Sequence, residues 1–195
     1  MNFLKKFFLN IWFPHTRILW GLLFLGFIFY ESCGLYFQYW LKLNPCIECV
    51  YERACFMFFG VAALIGVIIP RIMIMRLAAS AVWLVSSVWG LIIAIEHRGY
   101  EIDYQKSLAD PFASSTTCGF FANFPEYFKL DKWLPSVFQP TGVCGDASWD
   151  FAGLTMVQWI IIIFVCNAVV AGIVTLLSLV PFDKYKSWVL TARHG

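Results

Sequence analysis

Continuous apolar runs dominate the chain. Four of them, at about residues 18–41, 50–69, 77–95 and 157–180, reach the length of about 20 mainly apolar residues that a helix needs to cross a bilayer. A transmembrane β-strand would instead alternate apolar and polar residues over about ten positions. The pattern therefore predicts an all-α integral membrane protein, a four-transmembrane-helix bundle that forms a single membrane domain over residues 1–195.

The composition agrees with this fold class. Of 195 residues, 61% are hydrophobic and 13% are charged, whereas an average soluble domain is about 45–50% apolar and about 25% charged. Such a chain cannot cover a water-facing surface with polar groups, which excludes an ordinary soluble enzyme. The 14 basic residues nearly balance the 12 acidic ones and form no basic stripe, so nucleic acid is not an expected partner.

The basic residues are distributed unevenly. Segments 1–17, 70–76 and 181–195 carry eight Lys or Arg residues against one acidic residue, whereas segment 96–156 carries four against eight. Cationic loops face the cytoplasm. We therefore expect both termini and 70–76 to be cytoplasmic, with 42–49 and 96–156 in the periplasm. The basic and aromatic segment 1–17 is expected to lie at the membrane surface.

The long periplasmic loop is rich in aromatic residues, with eleven of them between residues 96 and 150. Amphipathic rings favour the headgroup level of a membrane, so we expect this loop to lie on the bilayer. Within it, Tyr127, Leu130 and Leu134 recur at helical spacing until Pro135. This spacing predicts a short interfacial helix.

The predicted topology divides the seven cysteines into two groups. Thiols exposed to an oxidising compartment are expected to pair, although the spacing does not choose among the three possible pairings of four cysteines. The other three fall inside the spans and are expected to be small apolar fillers. The external cysteines are Cys46, Cys49, Cys118 and Cys144, and the internal ones are Cys33, Cys55 and Cys166.

The C-x-x-C motif formed by Cys46 and Cys49 is the strongest local signal. Such a pair closes a small ring whose disulfide can be labile and redox-active. We expect Asn44 to be the N-cap and Pro45 the first residue of the second span, whose dipole favours thiolate at its N-terminus. Alternatives are a structural disulfide or half a metal site. A zinc or copper site would need a second Cys or His pair at similar spacing; none follows, so no metal is expected.

Arg53 lies four residues after Cys49, on the same helix face. An arginine inside a membrane costs at least ~2.5 kcal/mol at the centre of a helix, which makes it a functional candidate. It can stabilise a Cys49 thiolate or bind an anionic or carbonyl-bearing ligand. The alternative is that Arg53 reaches the membrane surface or pairs with Glu52.

Three further residues are candidates for the same chemistry. His97 follows the third span and is either a proton donor or a ring that anchors the helix at the interface. Glu31 lies inside the first span and needs a polar partner or water. Met156 precedes the fourth span and either lines a pocket or packs.

Together, these motifs resemble the DsbB family of bacterial inner-membrane disulfide bond formation proteins. The resemblance covers most of residues 15–182 in order. The matching stretches are Asn44–Arg53 with Phe59-Gly60, Glu96-His97, Phe124-Pro125-Glu126, Leu130–Trp133, Cys144, Trp149–Phe151, Gly153-Leu154 and Met156–Trp159.

The resemblance implies an enzyme that reoxidises a periplasmic DsbA-type thiol oxidase and passes the electrons to a membrane quinone, either ubiquinone or menaquinone. By motif, Cys46 and Cys49 match the pair near the quinone, and Cys118 and Cys144 match the loop pair that meets the partner, with Cys118 attacked. The candidate quinone contacts are Cys49, Glu52, Arg53, His97 and Met156.

Two other functions remain open at this point. A vitamin-K-epoxide-reductase-like enzyme would use similar quinone and thiol chemistry. A non-enzymatic four-span scaffold would use the same cysteines as structural disulfides. A nicotinamide-dependent oxidoreductase is disfavoured, because the chain has no glycine fingerprint for a dinucleotide.

Overall fold

The computed structural model describes residues 13–110, 118–119, 122–146, 149–181, 183–187 and 190. Most of the segment 1–17, expected at the membrane surface, lies outside these residues. The elements in chain order are α1 (Arg17–Tyr39), α2 (Ile47–Ile68), α3 (Met73–Ala109), α4 (Leu130–Trp133), α5 (Pro135–Phe138), β1 (Asp150–Phe151), β2 (Leu154–Thr155) and α6 (Met156–Ser178).

Within the described residues, four helices are long and apolar enough to cross a membrane, namely α1, α2, α3 and α6. The fold class predicted from the sequence is therefore confirmed. Large apolar side chains on these helices are widely exposed, including Leu25, Val85 and Leu176. Exposed apolar surface of this extent suits contact with lipid chains rather than water.

The helix α3 is longer than its predicted span of 77–95, because it continues to Ala109. Its 37 residues extend over about 55 Å, whereas the hydrocarbon core of a bilayer is about 30 Å thick. Ion pairs between Arg98 and Glu101 and between Lys106 and Asp103 follow the last apolar turn. Such i,i+3 pairs stabilise a helix in water. The helix therefore continues beyond the apolar run, whose end predicts the end of the span.

The short helix predicted before Pro135 is present as the single-turn helix α4, and a second single-turn helix, α5, follows it after a break at Leu134. Proline lacks an N–H group and disfavours helical geometry in the residue before it, and Pro135 imposes this break. Tyr127 lies in the turn before α4 rather than in the helix.

A two-stranded antiparallel hairpin, which the hydropathy pattern did not predict, precedes α6. Asp150 pairs with Thr155 and Phe151 pairs with Leu154, while Ala152 and Gly153 both have positive φ. Two consecutive residues with positive φ are typical of a type I′ turn.

The N-terminus of α6 is capped by a reciprocal pair of side chains. The Thr155 hydroxyl accepts a hydrogen bond from the Gln158 backbone N–H, and the Gln158 side chain accepts one from the Thr155 N–H. This is a capping box, and it fixes Met156 as the first residue of the helix.

The chain forms two compact units. Unit 1 comprises Met1–Phe29, Met57–Ser87 and Cys166–Gly195. In it, the fully buried Trp20 lies against Gly66, where a Cβ atom would come within 2.0 Å of the indole ring. The buried Arg76 guanidinium donates hydrogen bonds to the carbonyl oxygens of Ser178 and Val180. These contacts satisfy carbonyls at the C-terminal end of α6.

Unit 2 comprises Tyr30–Phe56 and Val88–Val165. The rings of Phe56 and Phe164 stack with centroids 4.6 Å apart. Gly90 permits this packing, because a Cβ atom there would lie 2.2 Å from the Phe164 ring. All four cysteines predicted to be external, together with Arg53 and His97, belong to this unit.

Candidate redox site

The helix α2 begins immediately after Cys46. The Cys46 carbonyl accepts the hydrogen bond of the Val50 N–H, and the Cys46 sulfur lies 3.4 Å from the Cys49 nitrogen, which donates to it. Cys46 is therefore the N-cap, and the prediction that Asn44 caps the helix with Pro45 at its first position is wrong by two residues. The physical reason is that the Cys46 side chain itself satisfies an amide that would otherwise lack an acceptor.

The loop that carries Cys144 is held against the segment before α2. The N–H groups of Thr141 and Gly142 both donate to the Pro45 carbonyl, at 2.9 and 3.0 Å. Gly142 is required for this close approach, because a Cβ atom there would lie 2.3 Å from the Asn44 carbonyl oxygen. The backbone contact brings Cys144 close to the C-x-x-C motif.

All four of these cysteines therefore meet in one place. Cys118 and Cys144 form a disulfide with a Cα–Cα distance of 6.0 Å, the pairing implied by the family resemblance. Cys46 and Cys49 are free thiols with their sulfurs 2.9 Å apart. Cys46, Cys118 and Cys144 are buried in one cluster, against which Cys49 packs. The sulfurs of Cys46 and Cys144 lie within 4.8 Å of each other, a separation that suits thiol–disulfide exchange.

His97 connects α3 to the thiols. Its Nε2 atom lies 3.4 Å from the Cys46 sulfur, and its Nδ1 atom lies 3.0 Å from Glu52 Oε1. Both His97 and Glu52 are only 2% exposed, so the ring does not lie at a solvent boundary. The Cys46 thiol, the His97 imidazole and the Glu52 carboxylate thus lie side by side in a row. In such a row the carboxylate orients the imidazole, and the imidazole stabilises a thiolate.

Arg53 contacts partners other than Cys49 and Glu52, the two that the sequence suggested. Its Nη1 atom donates to Gln38 Oε1 at 2.9 Å and to the Val137 carbonyl, and its Nε atom lies 3.9 Å from Glu31. Glu52 pairs with His97 instead. Among the described residues, Arg53 makes no hydrogen bond to Cys49.

The residues around Arg53 share one face of α1. Glu31 and Gln38 are seven residues apart, about two helical turns, and Gly34 lies between them. A Cβ atom at Gly34 would lie 3.2 Å from Arg53 Nη2, so the glycine leaves room for the guanidinium. The unexplained Glu31 in an apolar span was the signal for this cluster. Its partner, Arg53, was not predictable, because the sequence does not show which faces of α1 and α2 pack together.

A small cavity borders the free thiols and is lined by Cys46, Cys49, His97 and Met156, among others. Its volume is about 10 Å³, enough for about one water molecule. Met156 therefore lines a cavity, as the sequence allowed. The cavity is too small for a quinone ring.

The fold and the site together define a class of protein. A multi-span membrane protein that holds a free dithiol against a disulfide is a membrane thiol–disulfide oxidoreductase. Comparison with known sequences specifies the family: the family model for disulfide bond formation protein DsbB matches residues 16–174. The chain belongs to the DsbB family, and the resemblance found in its motifs is confirmed.

Several relatives named disulfide bond formation protein B are similar over nearly their whole length. The protein from Shewanella frigidimarina is 41% identical over 88% of this chain and 95% of its own. The protein from Photobacterium profundum is 41% identical over 94% and 98%, respectively. The protein from Vibrio cholerae is 38% identical over 88% and 95%. The chain is thus a multi-pass protein of the bacterial inner membrane that acts in disulfide bond formation.

Proposed function

We propose that this protein oxidises a periplasmic DsbA-type dithiol protein and passes the two electrons through its two cysteine pairs to ubiquinone or menaquinone. The observation that carries the proposal is the approach of Cys144 to Cys46 within 4.8 Å. This distance supports a direct exchange between the loop pair and the pair in α2. Both termini face the cytoplasm in this proposal.

The exchange begins at the loop disulfide. A thiolate of the partner attacks the Cys118 sulfur, the Cys118–Cys144 bond breaks, and Cys144 leaves as a thiolate. In the oxidised enzyme Cys46 and Cys49 are joined. The Cys144 thiolate attacks the Cys46 sulfur, the Cys46–Cys49 bond breaks, and Cys49 leaves as a thiolate.

Two further exchanges complete the transfer. In the mixed disulfide, the partner's first cysteine is bonded to Cys118. The partner's second thiolate attacks the sulfur of that first cysteine and releases Cys118, which leaves the partner oxidised. The Cys118 thiolate then attacks Cys144, re-forms the loop disulfide and releases Cys46. One disulfide has formed in the partner, and the Cys46–Cys49 disulfide has been reduced to two thiols.

His97 and Glu52 support the reduced pair in this scheme. Glu52 accepts a hydrogen bond from His97 Nδ1–H, which directs Nε2 at the Cys46 sulfur. His97 then takes the Cys46 proton and stabilises the thiolate as an imidazolium. Their contacts favour this role over direct contact with the quinone, because both ring nitrogens already have partners.

The buried groups around Arg53 fit a quinone in their chemistry. The guanidinium has five N–H donors, and the two acceptors that it reaches by hydrogen bonding, Gln38 and Val137, leave donors for a carbonyl oxygen. In the described part of the chain, the buried Glu31 Oε1 has no hydrogen-bond partner. Arg53 would hold the quinone, and Cys49 and Met156 would contact it from the side of the C-x-x-C motif. A bound quinone would supply an acceptor for two electrons and two protons.

One experiment separates this function from its alternatives. The purified protein is mixed with a reduced DsbA-type protein and a soluble quinone, and both partner thiols and quinone absorbance are followed. We expect stoichiometric loss of thiol pairs and quinone, which requires Cys46 and Cys118. Quinone consumption without oxidation of the protein partner would favour the vitamin-K-epoxide-reductase-like alternative. Absence of both reactions would refute the proposed function.

A further inference from the structure

The reduced dithiol is surrounded by side chains of the types that bind metal ions. Cys46 Sγ lies 2.9 Å from Cys49 Sγ and 3.4 Å from His97 Nε2. Donor atoms of Cys49, Glu52 and His97 also lie within 4.8 Å of one another. The sequence spacing shows no second ligand pair near the C-x-x-C motif, but α3 supplies a third ligand through space.

Two of the donor distances are close to those of a tetrahedral zinc centre, and Cys49 Sγ also lies within 4.8 Å of a His97 ring nitrogen. Zinc binds thiolate at about 2.3 Å and imidazole at about 2.0–2.1 Å, which places two sulfurs about 3.8 Å apart and sulfur and nitrogen about 3.6 Å apart. The observed distances are 2.9 and 3.4 Å, so the sulfurs need to separate by about 1 Å. Cys49 is half-buried rather than enclosed on all sides, so its side chain has room for this movement.

We propose that the reduced Cys46–Cys49 pair and His97 form a Zn²⁺ site that competes with reoxidation of the pair. Glu52 holds His97 Nδ1 at 3.0 Å, as a carboxylate commonly does for a zinc-bound histidine, and this leaves Nε2 as the ligand. The cavity beside the thiols holds about one water molecule, which completes the fourth position. Cys144 is not a ligand here, because it is bonded to Cys118.

The site depends on the redox state of the enzyme. Two thiols lose their protons when Zn²⁺ binds, and the metal changes no oxidation state. When Cys46 and Cys49 are oxidised to a disulfide, both thiolate ligands are lost and the metal is released. Zinc therefore holds the enzyme in its reduced form. This inhibition rests on the proposed electron path, whereas metal binding itself does not.

Binding is tested on the full-length protein with Cys33, Cys55, Cys118, Cys144 and Cys166 replaced by Ser, purified without a polyhistidine tag. Only Cys46 and Cys49 remain. We expect the reduced protein to bind one Co²⁺ per chain with thiolate-to-metal charge-transfer bands and tetrahedral d–d bands, to release the Co²⁺ to Zn²⁺, and to bind neither metal when oxidised. Equal affinity in both redox states would overturn the proposal.

Two variants identify the ligands. We expect His97→Ala to weaken Zn²⁺ affinity at least about tenfold and Glu52→Gln to weaken it by about 10- to 100-fold, the range typical of groups that support a metal ligand. His15→Gln is the matched control and leaves affinity unchanged. Full affinity in both His97→Ala and Glu52→Gln would overturn the site, and the second variant keeps the test valid if the first fails to fold.

The inhibition is measured with the wild-type protein. We expect Zn²⁺ to slow quinone-dependent oxidation of the dithiol partner, more strongly when quinone is scarce and the pair stays reduced, and a chelator to restore the rate. Zinc binding without this inhibition would overturn the competition with reoxidation but not the metal site. If the protein fails to oxidise the partner at all, the spectroscopic titration still tests the site independently.

Discussion

The Nε2 atom of His97 lies 3.4 Å from the Cys46 sulfur, although the two residues are 51 positions apart in the sequence. The contact joins the N-terminus of α2 to the point in α3 where the apolar run ends. It is buried, and Glu52 fixes the ring from its other nitrogen. In the proposed mechanism, Cys46 is the thiol of the C-x-x-C motif that exchanges with the loop disulfide. It is also the thiol that His97 contacts.

The reactivity of Cys46 is expected to depend on this contact. The thiolate is the nucleophilic form of cysteine, so in a Cys49→Ser background His97→Ala should slow alkylation of Cys46 at neutral pH by at least about tenfold, or about 1.4 kcal/mol. Glu52→Gln should cause a smaller loss, because glutamine still accepts a hydrogen bond but carries no charge. Alkylation is followed by mass spectrometry of the Cys46 peptide. An unchanged rate in His97→Ala, with His15→Gln as control, would assign His97 to packing alone.

Hydropathy and charge in the sequence were sufficient to predict the fold class. The reason is that each membrane-spanning helix must be apolar and must form its own backbone hydrogen bonds. The four apolar runs map onto α1, α2, α3 and α6, and the only large discrepancy is the polar end of α3. That end is held by Arg98 and Glu101, a local pair that hydropathy does not report. Helix ends in water and span ends in lipid obey different physical rules.

The candidate site was predictable as a set of residues but not as an arrangement. The C-x-x-C motif and an arginine in an apolar helix are local signals, and each stands out by its own cost or chemistry. The contacts of Arg53 with Gln38 and Val137 join three distant segments. Only the packed backbone determines them, as it determines the approach of Gly142 to Asn44.

Gly142 is expected to control exchange between the two cysteine pairs. A Cβ atom at this position would lie 2.3 Å from the Asn44 carbonyl oxygen, so Gly142→Ala must displace the loop that carries Cys144. We expect transfer from Cys144 to Cys46 to slow by at least about tenfold, since small misplacements of reacting groups are costly. Acid-quenched single turnovers, mapped without reduction, measure the Cys46–Cys144 intermediate.

The control for this variant is Gly99→Ala, where a Cβ atom meets nothing within 4 Å. Attack on Cys118 by the partner should be affected less by Gly142→Ala than the subsequent transfer. If both variants form the Cys46–Cys144 bond at the wild-type rate, the approach of the loop to Asn44 does not limit the exchange.

The orientation in the membrane is tested by reporter fusions. The excess of basic residues in segments 1–17, 70–76 and 181–195 predicts that these face the cytoplasm. A reporter that is active only in the periplasm should be active when fused after residue 115 and inactive when fused after residue 74. The opposite result would remove the cysteines from the oxidising compartment and refute the proposed redox function.

Arg53 is expected to matter to the quinone step and not to the exchange with the partner. Its Nη1 atom donates to Gln38 and Val137, and its Nε atom faces Glu31. Arg53→Ala removes both the charge and the donors that would stabilise negative charge developing on a carbonyl oxygen. We expect kcat/KM for quinone to fall at least about tenfold, or about 1.4 kcal/mol. Arg53→Lys should fall between, because lysine keeps the charge but lacks the planar fork.

Steady-state kinetics across quinone concentrations measure this effect, and the rate of mixed-disulfide formation with the partner is measured separately. Gln38→Ala should reproduce part of the loss by releasing one anchor of the guanidinium, whereas Arg71→Gln, an exposed arginine outside this cluster, should have none. If Arg53→Ala slows exchange with the partner and leaves the quinone kinetics intact, Arg53 holds α1 and the Val137 segment together for the loop. The quinone would then bind elsewhere, because the cavity beside the thiols is too small to hold its ring.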